Sequence, residues 1–250
     1  MVKSGDVIAV WFSCGAASAV AAKKTLEKYP DCTIKILNSP ILEEDEDNRR
    51  FLQDVQDWLG CQIEIVSSVN FPDQSARTVW EKRKFMSSVH GAPCTSELKK
   101  KARQEWEEQN KVDWHVLGFT YEEKHRHDRF VLTERSSLLP ILIEEKIGKV
   151  QCMEILSDAN ISLPRVYKMG YPNANCIGCV KATSPTYWNL VRQTHPDVFD
   201  DRAEQSRRLG VKLTRVNSER IFLDELDENH KGAPIKDGLS ECGLFCEEIK

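Results

Sequence analysis

The chain has 250 residues and a formal net charge of −4 at pH 7; 40% of the residues are hydrophobic and 30% are charged. With only 12 Gly and 10 Pro, this composition excludes collagen, low-complexity disorder and a coiled-coil rod. The sequence has no run of 18 apolar residues and no signal-peptide pattern, so we expect a cytoplasmic protein without a membrane partner. The negative charge argues against a generally nucleic-acid-binding surface, although it is compatible with a local basic groove.

Apolar runs alternate with amphipathic segments through the first half of the chain. The apolar runs predict five strands, over Val7–Phe12, Thr33–Leu37, Gln62–Val66, Trp114–Gly118 and Leu138–Ile143. The segments between them predict helices over Ala16–Lys28, Asp47–Leu59, Ser75–Met86 and Thr95–Gln109. Strands that alternate with helices predict a Rossmann-like α/β fold with a parallel five-stranded sheet and right-handed crossovers.

The alternation of predicted strands and helices ends after Glu144. Three further helices are predicted, over Lys149–Ser157, Ser184–Gln193 and Pro196–Leu209, with a loop-rich stretch over Leu163–Cys179. We therefore predict an α/β core over residues 1–145 and a helical and loop lobe over residues 146–250. This lobe carries cysteines and packs on the core.

A loop of small residues joins the first predicted strand to the first predicted helix. It reads Ser13-Cys14-Gly15-Ala16-Ala17-Ser18. Small residues at a helix N-terminus let backbone N–H groups approach an anion, so the loop predicts phosphate binding. It is neither a Walker A loop nor the dinucleotide Gly-x-Gly-x-x-Gly pattern. A plain tight turn is the alternative.

The nine cysteines are an odd number, and a chain without a secretion signal is not expected to form a disulfide framework. Five of them lie in loop-like sequence: Cys94, Cys176, Cys179, Cys242 and Cys246. A Cys-x-x-Cys pair can chelate one metal, and sites made only of thiolates select zinc or iron–sulfur clusters. The alternative for Cys176 and Cys179 is a redox dithiol.

Three charged stretches have both a functional and a structural interpretation. The polar stretch Gly118–Arg129 follows the fourth predicted strand, and its arginines suit phosphate or sulfate; otherwise it is a solvated loop. The acidic run Glu43–Asp47 either complements a helix dipole or binds Mg²⁺ or a ribose. The basic set after Cys94, which comprises Lys99, Lys100, Lys101 and Arg103, is either a solvated helix face or a site for an anionic substrate.

Together these motifs resemble the phosphoadenosine/adenosine phosphosulfate reductase family, within the adenine nucleotide alpha hydrolase (PP-loop) superfamily. Ser13, Gly15 and Ser18 match the PP-loop. Gly118, Glu123 and Arg126 match the family's Gly-x-Arg-x-x-Glu-x-x-x-Arg region, apart from a shifted spacing and a threonine in place of the first arginine.

The resemblance extends to the end of the chain. Leu163-Pro164, Tyr167 and Gly170-Tyr171 precede the Cys-x-x-Cys pair as in family members with clusters, and Glu241-Cys242-Gly243-Leu244 resembles the C-terminal Glu-Cys-Gly-Leu-His motif. Three departures stand out. Thr95 follows Cys94 where cluster-bearing reductases have a second cysteine, Phe245 replaces the final histidine, and Ala17 replaces the aspartate of ATP-dependent PP-loop enzymes. The sequence most resembles short reductase-like proteins of phages and mobile elements.

The resemblance implies a reductase that releases sulfite from an adenylyl-sulfate nucleotide. The nucleotide would be bound by Ser13, Cys14, Gly15, Ala16, Ser18, Gly118 and Glu123. Arg126 would hold the phosphosulfate, and Cys242 would attack the sulfur to give a thiosulfonate that thioredoxin or another dithiol reduces. A 4Fe–4S cluster would be held by Cys94, Cys176, Cys179 and Cys246; the alternative is that Cys242 is the fourth ligand, in which case it is not the nucleophile.

Two other functions stay open. An ATP-dependent PP-loop sulfurtransferase would adenylate a nucleic acid or small molecule with Mg²⁺ present, and a sulfur held by a 4Fe–4S cluster, by Cys242 or by Cys246 would then displace AMP. A non-catalytic nucleotide or redox sensor is the third reading. The sequence is compatible with a homo-oligomer in each case.

Overall fold

A computed structural model describes residues 1–88 and 91–235 of the chain. Its main sheet has five strands in the order β3-β2-β1-β4-β5, and every neighbouring pair is parallel. The strands are β1 Val7–Phe12, β2 Thr33–Asn38, β3 Ile63–Ile65, β4 Trp114–Val116 and β5 Leu138–Leu139. The predicted Rossmann-like α/β fold with a five-stranded parallel sheet is confirmed.

The α-helices are distributed along the whole described chain. In chain order they are α1 Ala16–Lys28, α2 Asp47–Leu59, α3 Ala76–Arg83, α4 Ala102–Gln109, α5 Lys124–Thr133, α6 Ile141–Glu144, α7 Lys149–Asp158, α8 Arg165–Lys168, α9 Pro185–Thr194 and α10 Pro196–Arg208. A π-helix over Thr95–Lys101 precedes α4. Within the described residues, no helix is long and apolar enough to cross a membrane.

The described residues form two compact units, each built from several chain segments. Unit 1 comprises Met1–Pro40, Glu46–Val66 and Arg103–Pro164, and unit 2 comprises Ile41–Asp45, Ser67–Ala102 and the described residues from Arg165 onward. The segment that carries Cys94 therefore belongs to the same unit as Cys176 and Cys179. The division into domains 1–145 and 146–250 stays a prediction, because packing into units does not measure independent folding.

The core of unit 1 lies on both faces of the sheet. Alternate residues of β1 point to opposite faces, and Val10 and Phe12 join the apolar cluster that contains Val20 of α1 and Phe51 of α2. Trp11 points to the other face, where its ring meets Trp106 of α4 edge-on at 5.8 Å between centroids. Because both faces are covered, β1 is apolar throughout, as expected for a buried parallel strand.

Unit 2 has its own apolar cluster, built mainly from helices α3, α9 and α10. Trp80, Trp188 and Phe199 are among its large members. A two-stranded antiparallel hairpin, β6 Thr214–Val216 with β7 Glu219–Ile221, completes the unit. The sequence does not predict this hairpin, because each strand has only three residues, too few to show an alternating pattern.

Several predicted elements differ from the structure; α3 and β4, for example, end at Arg83 and Val116 rather than at Met86 and Gly118. The single helix over Thr95–Gln109 is a π-helix followed by α4. The strand over Leu138–Ile143 ends at Leu139, and α6 follows, because Pro140 has no N–H to continue the ladder. The stretch Gly118–Arg129, interpreted as a polar loop, instead contains the start of α5, whose His127 and Phe130 are buried.

Candidate functional site

The predicted phosphate loop lies where the strand order of the sheet reverses. β2 pairs with one edge of β1 and β4 with the other, and ligands of open α/β sheets bind outside the carboxyl ends of strands at such a point. Gly15 is the N-cap of α1 and has an extended backbone. The first N–H groups of the helix have no partner within the helix and can bind an anion.

Two serines hold the loop in shape. The Ser13 N–H donates to Ser18 Oγ at 3.1 Å, and the Ser18 hydroxyl donates to the Gly15 carbonyl at 2.9 Å. Ser13 Oγ lies 3.2 Å from Ser18 Oγ. Between them, Cys14 is buried and has a left-handed backbone with φ of 56°, a conformation that most residues other than glycine avoid. The loop is therefore closed by its own side chains.

Gly118, just after β4, touches this loop with its backbone. A Cβ atom at Gly118 would lie 2.7 Å from the Ser18 nitrogen and 2.9 Å from Ser18 Cα. No side chain fits at such distances without movement of backbone atoms. The glycine thus allows the loops after β1 and β4 to meet at the same edge of the sheet.

Arg126 and Glu123, both predicted site residues, are brought together as an ion pair. Glu123 also accepts hydrogen bonds from the N–H and hydroxyl of Thr120, at 3.2 and 3.3 Å, in a capping box at the start of this helical segment. The Arg126 guanidinium lies 5.3 Å from the centroid of the Phe119 ring. Both side chains therefore have structural partners, and their predicted roles toward a nucleotide stay predictions.

The acidic run before α2 is divided among several partners. The Glu43 carboxylate caps α3, accepting from the Ser75 hydroxyl and from the N–H groups of Ala76 and Arg77 at 2.8–2.9 Å. The other ion pairs of the run are Glu44 with Lys99, Asp45 with Arg165 and His195, and Asp47 with Arg50. The helix-dipole interpretation thus holds for Glu43. The helix concerned is α3, however, and not α2, which follows the acidic run.

The interpretation of the basic set as a solvated helix face is wrong for two of its members. The side chains of Lys99 and Arg103 are only 7% and 6% exposed. Lys99 lies 3.8 Å from Glu44 and Arg103 lies 3.6 Å from Glu107. Burial lowers the pKa of Arg103 to about 10. The π-helix and α4 turn these side chains inward, which their spacing in the sequence does not reveal.

A buried histidine lies beside two arginines on the α4 side of the sheet. His115 of β4 is 2% exposed, and its Nδ1 accepts a hydrogen bond from the Trp11 indole at 3.2 Å. Burial, reinforced by Arg135 and then Arg103, lowers the pKa of His115 to about 3. Glu107 lies 3.7 Å from this histidine, but it is also paired with Arg135 at 2.8 Å. His115 is therefore neutral at physiological pH.

Three predicted thiol ligands lie in unit 2. Cys94, Cys176 and Cys179 are half-buried and pack against the same apolar cluster, and no cysteine of residues 1–88 and 91–235 forms a disulfide. Within these residues, no group of three or more His, Cys, Asp or Glu side chains is arranged to hold a metal ion. The donor chemistry fits a soft metal or cluster, whereas a converged coordination geometry is not formed. Cys242 and Cys246 lie outside the described residues.

Comparison with known proteins adds a structural likeness. No protein-family model matches the chain, and no curated protein matches it. Among solved structures, the chain is similar to the U34-tRNA thiolase NcsA from Methanococcus maripaludis with its 4Fe–4S cluster. The two share 12% identity with a TM-score of 0.42, over 83% of this chain and 73% of that one. A TM-score of this size is too low to transfer the fold or the function of that enzyme to this chain.

Two side chains at these sites are absent from the sequence-based prediction. Asn38, the last residue of β2, donates from Nδ2 to the Phe12 carbonyl at 2.8 Å and contacts Cys14 Sγ at 3.7 Å. Tyr187 of α9 contacts the backbone of the Cys-x-x-Cys segment. A polar residue that ends an apolar strand is a signal that could have indicated Asn38. Nothing local in the sequence indicates Tyr187.

Proposed function

We propose that the protein is an adenine-nucleotide-dependent enzyme of the PP-loop type that transfers sulfur, in an ATP-dependent sulfurtransferase reaction. The observation that carries the proposal is the meeting of the Ser13–Ser18 loop with the backbone of Gly118 at the switch point of the sheet. The amides at the start of α1 provide donors for phosphate oxygens. Gly118 keeps the space in front of those amides free of a side chain.

The thiols of Cys94, Cys176 and Cys179 support the sulfur chemistry. They belong to one unit and border one apolar cluster, and thiolates are the ligands that iron–sulfur clusters require. These three side chains would hold a 4Fe–4S cluster, with a fourth position left for a non-protein ligand. When bound, such a cluster supplies iron at which inorganic sulfur is held for transfer.

The proposed reaction has two steps whose atoms balance. A carbonyl oxygen of the acceptor attacks the α-phosphorus of ATP, and pyrophosphate leaves while its charge is offset by Mg²⁺ and by the amides of the loop. Hydrosulfide then attacks the adenylated carbon, and AMP leaves with the former carbonyl oxygen. The acceptor ends as a thiocarbonyl compound, and a nucleic-acid base or a small amide has the required chemistry.

Adenylyl-sulfate reduction is the second candidate. It is favoured by the sequence around Cys242, which resembles the nucleophile motif of the reductases. Against it stands the role of Arg126. The reductase reaction requires this residue to bind the phosphosulfate, but its guanidinium is already paired with Glu123. Breaking that pair to bind substrate would leave the Glu123 carboxylate beside an anion. For this reason the transferase reaction ranks first.

One pair of anaerobic assays separates the candidates. Iron-reconstituted protein receives ATP, Mg²⁺, ³⁵S-labelled sulfide and total cellular RNA or DNA, and a parallel sample receives adenylyl sulfate with thioredoxin and a reductant. We expect ATP-dependent incorporation of label together with AMP and pyrophosphate. Sulfite release without incorporation would assign the reductase. Tight ATP binding with neither product would assign a nucleotide sensor.

Two variants test the parts of the proposal separately. Gly15→Val is expected to abolish ATP binding, because its side chain blocks approach to the amides of the loop, and unchanged affinity would refute the phosphate site. Cys176→Ser is expected to lose iron and the brown colour of the protein while retaining ATP binding. Iron retained in this variant would show that the ligand assignment is wrong.

A further inference from the structure

The Cys-x-x-Cys segment of unit 2 is held in place through its backbone. The Ile177 N–H donates to the Glu43 carbonyl at 2.9 Å, and the Ala182 N–H donates to the Cys179 carbonyl at 3.0 Å. Gly178, between the two cysteines, has a left-handed φ of 67°. A Cβ there would meet Val198 at 3.1 Å and Arg202 at 3.2 Å. The path of the segment is thus constrained by its backbone hydrogen bonds and by the packing around Gly178.

A single hydroxyl group joins the two cysteines of this segment. Tyr187 Oη accepts a hydrogen bond from the Cys179 N–H at 2.9 Å and donates to the Cys176 carbonyl at 3.4 Å. The first contact has near-ideal length and the second is long. Together they span the segment from its first cysteine to its last. The hydroxyl therefore acts on the spacing between the two residues that carry the thiols.

The ring of Tyr187 is rigidly packed. It is 4% exposed and makes edge-on contacts with Trp188 and Tyr171, at 5.4 and 6.0 Å between ring centroids. The position of the hydroxyl is therefore set by the packing of the ring.

We propose that Tyr187 is the positioning residue of the Cys176–Cys179 pair, fixing the backbone of both cysteines relative to each other so that their thiolates would ligate one metal or cluster. The inference rests on the thiolate site of the proposed function and extends it to a residue that carries no ligand atom. Hydrogen-bonded groups behind metal ligands typically change metal affinity by about 10- to 100-fold when removed. A similar loss is expected when the Tyr187 hydroxyl is removed.

The chain offers a matched control in the same aromatic cluster. Tyr171 is also buried, and its hydroxyl lies 2.8 Å from Thr194 Oγ1 and 3.3 Å from His195 Nδ1. Tyr187→Phe and Tyr171→Phe therefore each remove one buried phenol oxygen from neighbouring rings. Only the first removes a contact with the backbone of the cysteine segment.

The test is a titration of the full, reduced chain with Co²⁺ under argon, in competition with a chelator. The thiolate-to-cobalt charge-transfer band is followed in the wild type and both variants, with Cys176→Ser identifying the site. We expect Tyr187→Phe to bind Co²⁺ about 10- to 100-fold more weakly than the wild type, and Tyr171→Phe to match the wild type. Equal affinity in Tyr187→Phe, or an equal loss in Tyr171→Phe, overturns the positioning role.

A second measurement keeps this inference separate from the metal site itself. If the wild type shows no thiolate band, the metal part of the proposed function fails, and the positioning role is judged by alkylation of the thiols. Iodoacetamide rates at Cys176 and Cys179, read by peptide mass spectrometry, are expected to change in Tyr187→Phe but not in Tyr171→Phe. Identical rates in all three proteins refute the inference.

Discussion

Replacing Gly118 with alanine tests the meeting of the two loops at the sheet edge. The new Cβ would lie 2.7 Å from the Ser18 nitrogen, 2.9 Å from Ser18 Cα and 3.1 Å from the Ala17 carbonyl carbon. All three are backbone atoms, so no side-chain rotation relieves the overlap. Overpacking of this kind costs about 1–3 kcal/mol. If the cost falls on the nucleotide-bound loop, it corresponds to a loss of roughly 5- to 150-fold in affinity.

Binding of a fluorescent ATP analogue measures the loss of nucleotide affinity in this variant, and urea unfolding measures its loss of stability. We expect Gly118→Ala to fold, with weaker nucleotide binding, because the loop moves to accommodate the methyl group. Gly60→Ala is the control: no atom lies within 4 Å of its added Cβ, yet its left-handed φ of 68° strains alanine by about 1–2 kcal/mol. Nucleotide affinity in Gly118→Ala equal to that of the control would refute the assignment of the loop as the phosphate site.

Three further predictions follow from the site geometry. Because the folded-state pKa of His115 is lowered to about 3, the unfolded chain binds more protons below pH 6.5. As the pH is lowered from 6.5 to 4.5, the free energy of unfolding should therefore fall relative to that of His115→Asn, by up to about 1.4 kcal/mol per pH unit. Parallel urea-derived profiles would contradict this. Glu43→Ala should lower the free energy of unfolding by about 1–2 kcal/mol, because α3 loses its cap. Glu204 lies on the exposed side of α10, so Glu204→Ala should have the stability of the wild type in the same urea assay. Arg126→Ala should cost under about 1 kcal/mol of stability and leave the affinity for adenylyl sulfate within about twofold, whereas a tenfold loss of that affinity would favour the reductase.

The bounds of β1, α1 and α2 agree with their sequence predictions residue for residue. These elements are indicated by patterns within a window of a dozen residues. A continuous apolar run marks a strand buried on both faces, and a helical period of apolar residues marks a helix with one buried face. The position of the loop proposed to bind phosphate follows from the same local information, since this loop separates the first strand from the first helix.

The basic set after Cys94 shows where local information fails. Consecutive lysines and an arginine suggest a solvated face, but Lys99 and Arg103 are buried beside Glu44 and Glu107. A π-helix has a different period from an α-helix, so it turns other side chains inward than the α-helical period predicts. The partner of Lys99 lies more than fifty residues away in the sequence, and no local pattern identifies it.

The sequence alone determines the class of fold, the place of the loop proposed to bind phosphate and the presence of the thiols proposed as ligands, because each is expressed by neighbouring residues. Tertiary structure alone decides which of these residues act together. It groups Cys94 with Cys176 and Cys179 in unit 2, brings Gly118 against Ser18, and sets the Tyr187 hydroxyl between two cysteines. Such contacts depend on the path of the chain between distant segments, and that path is set by the packing of the whole unit rather than by the residues in contact.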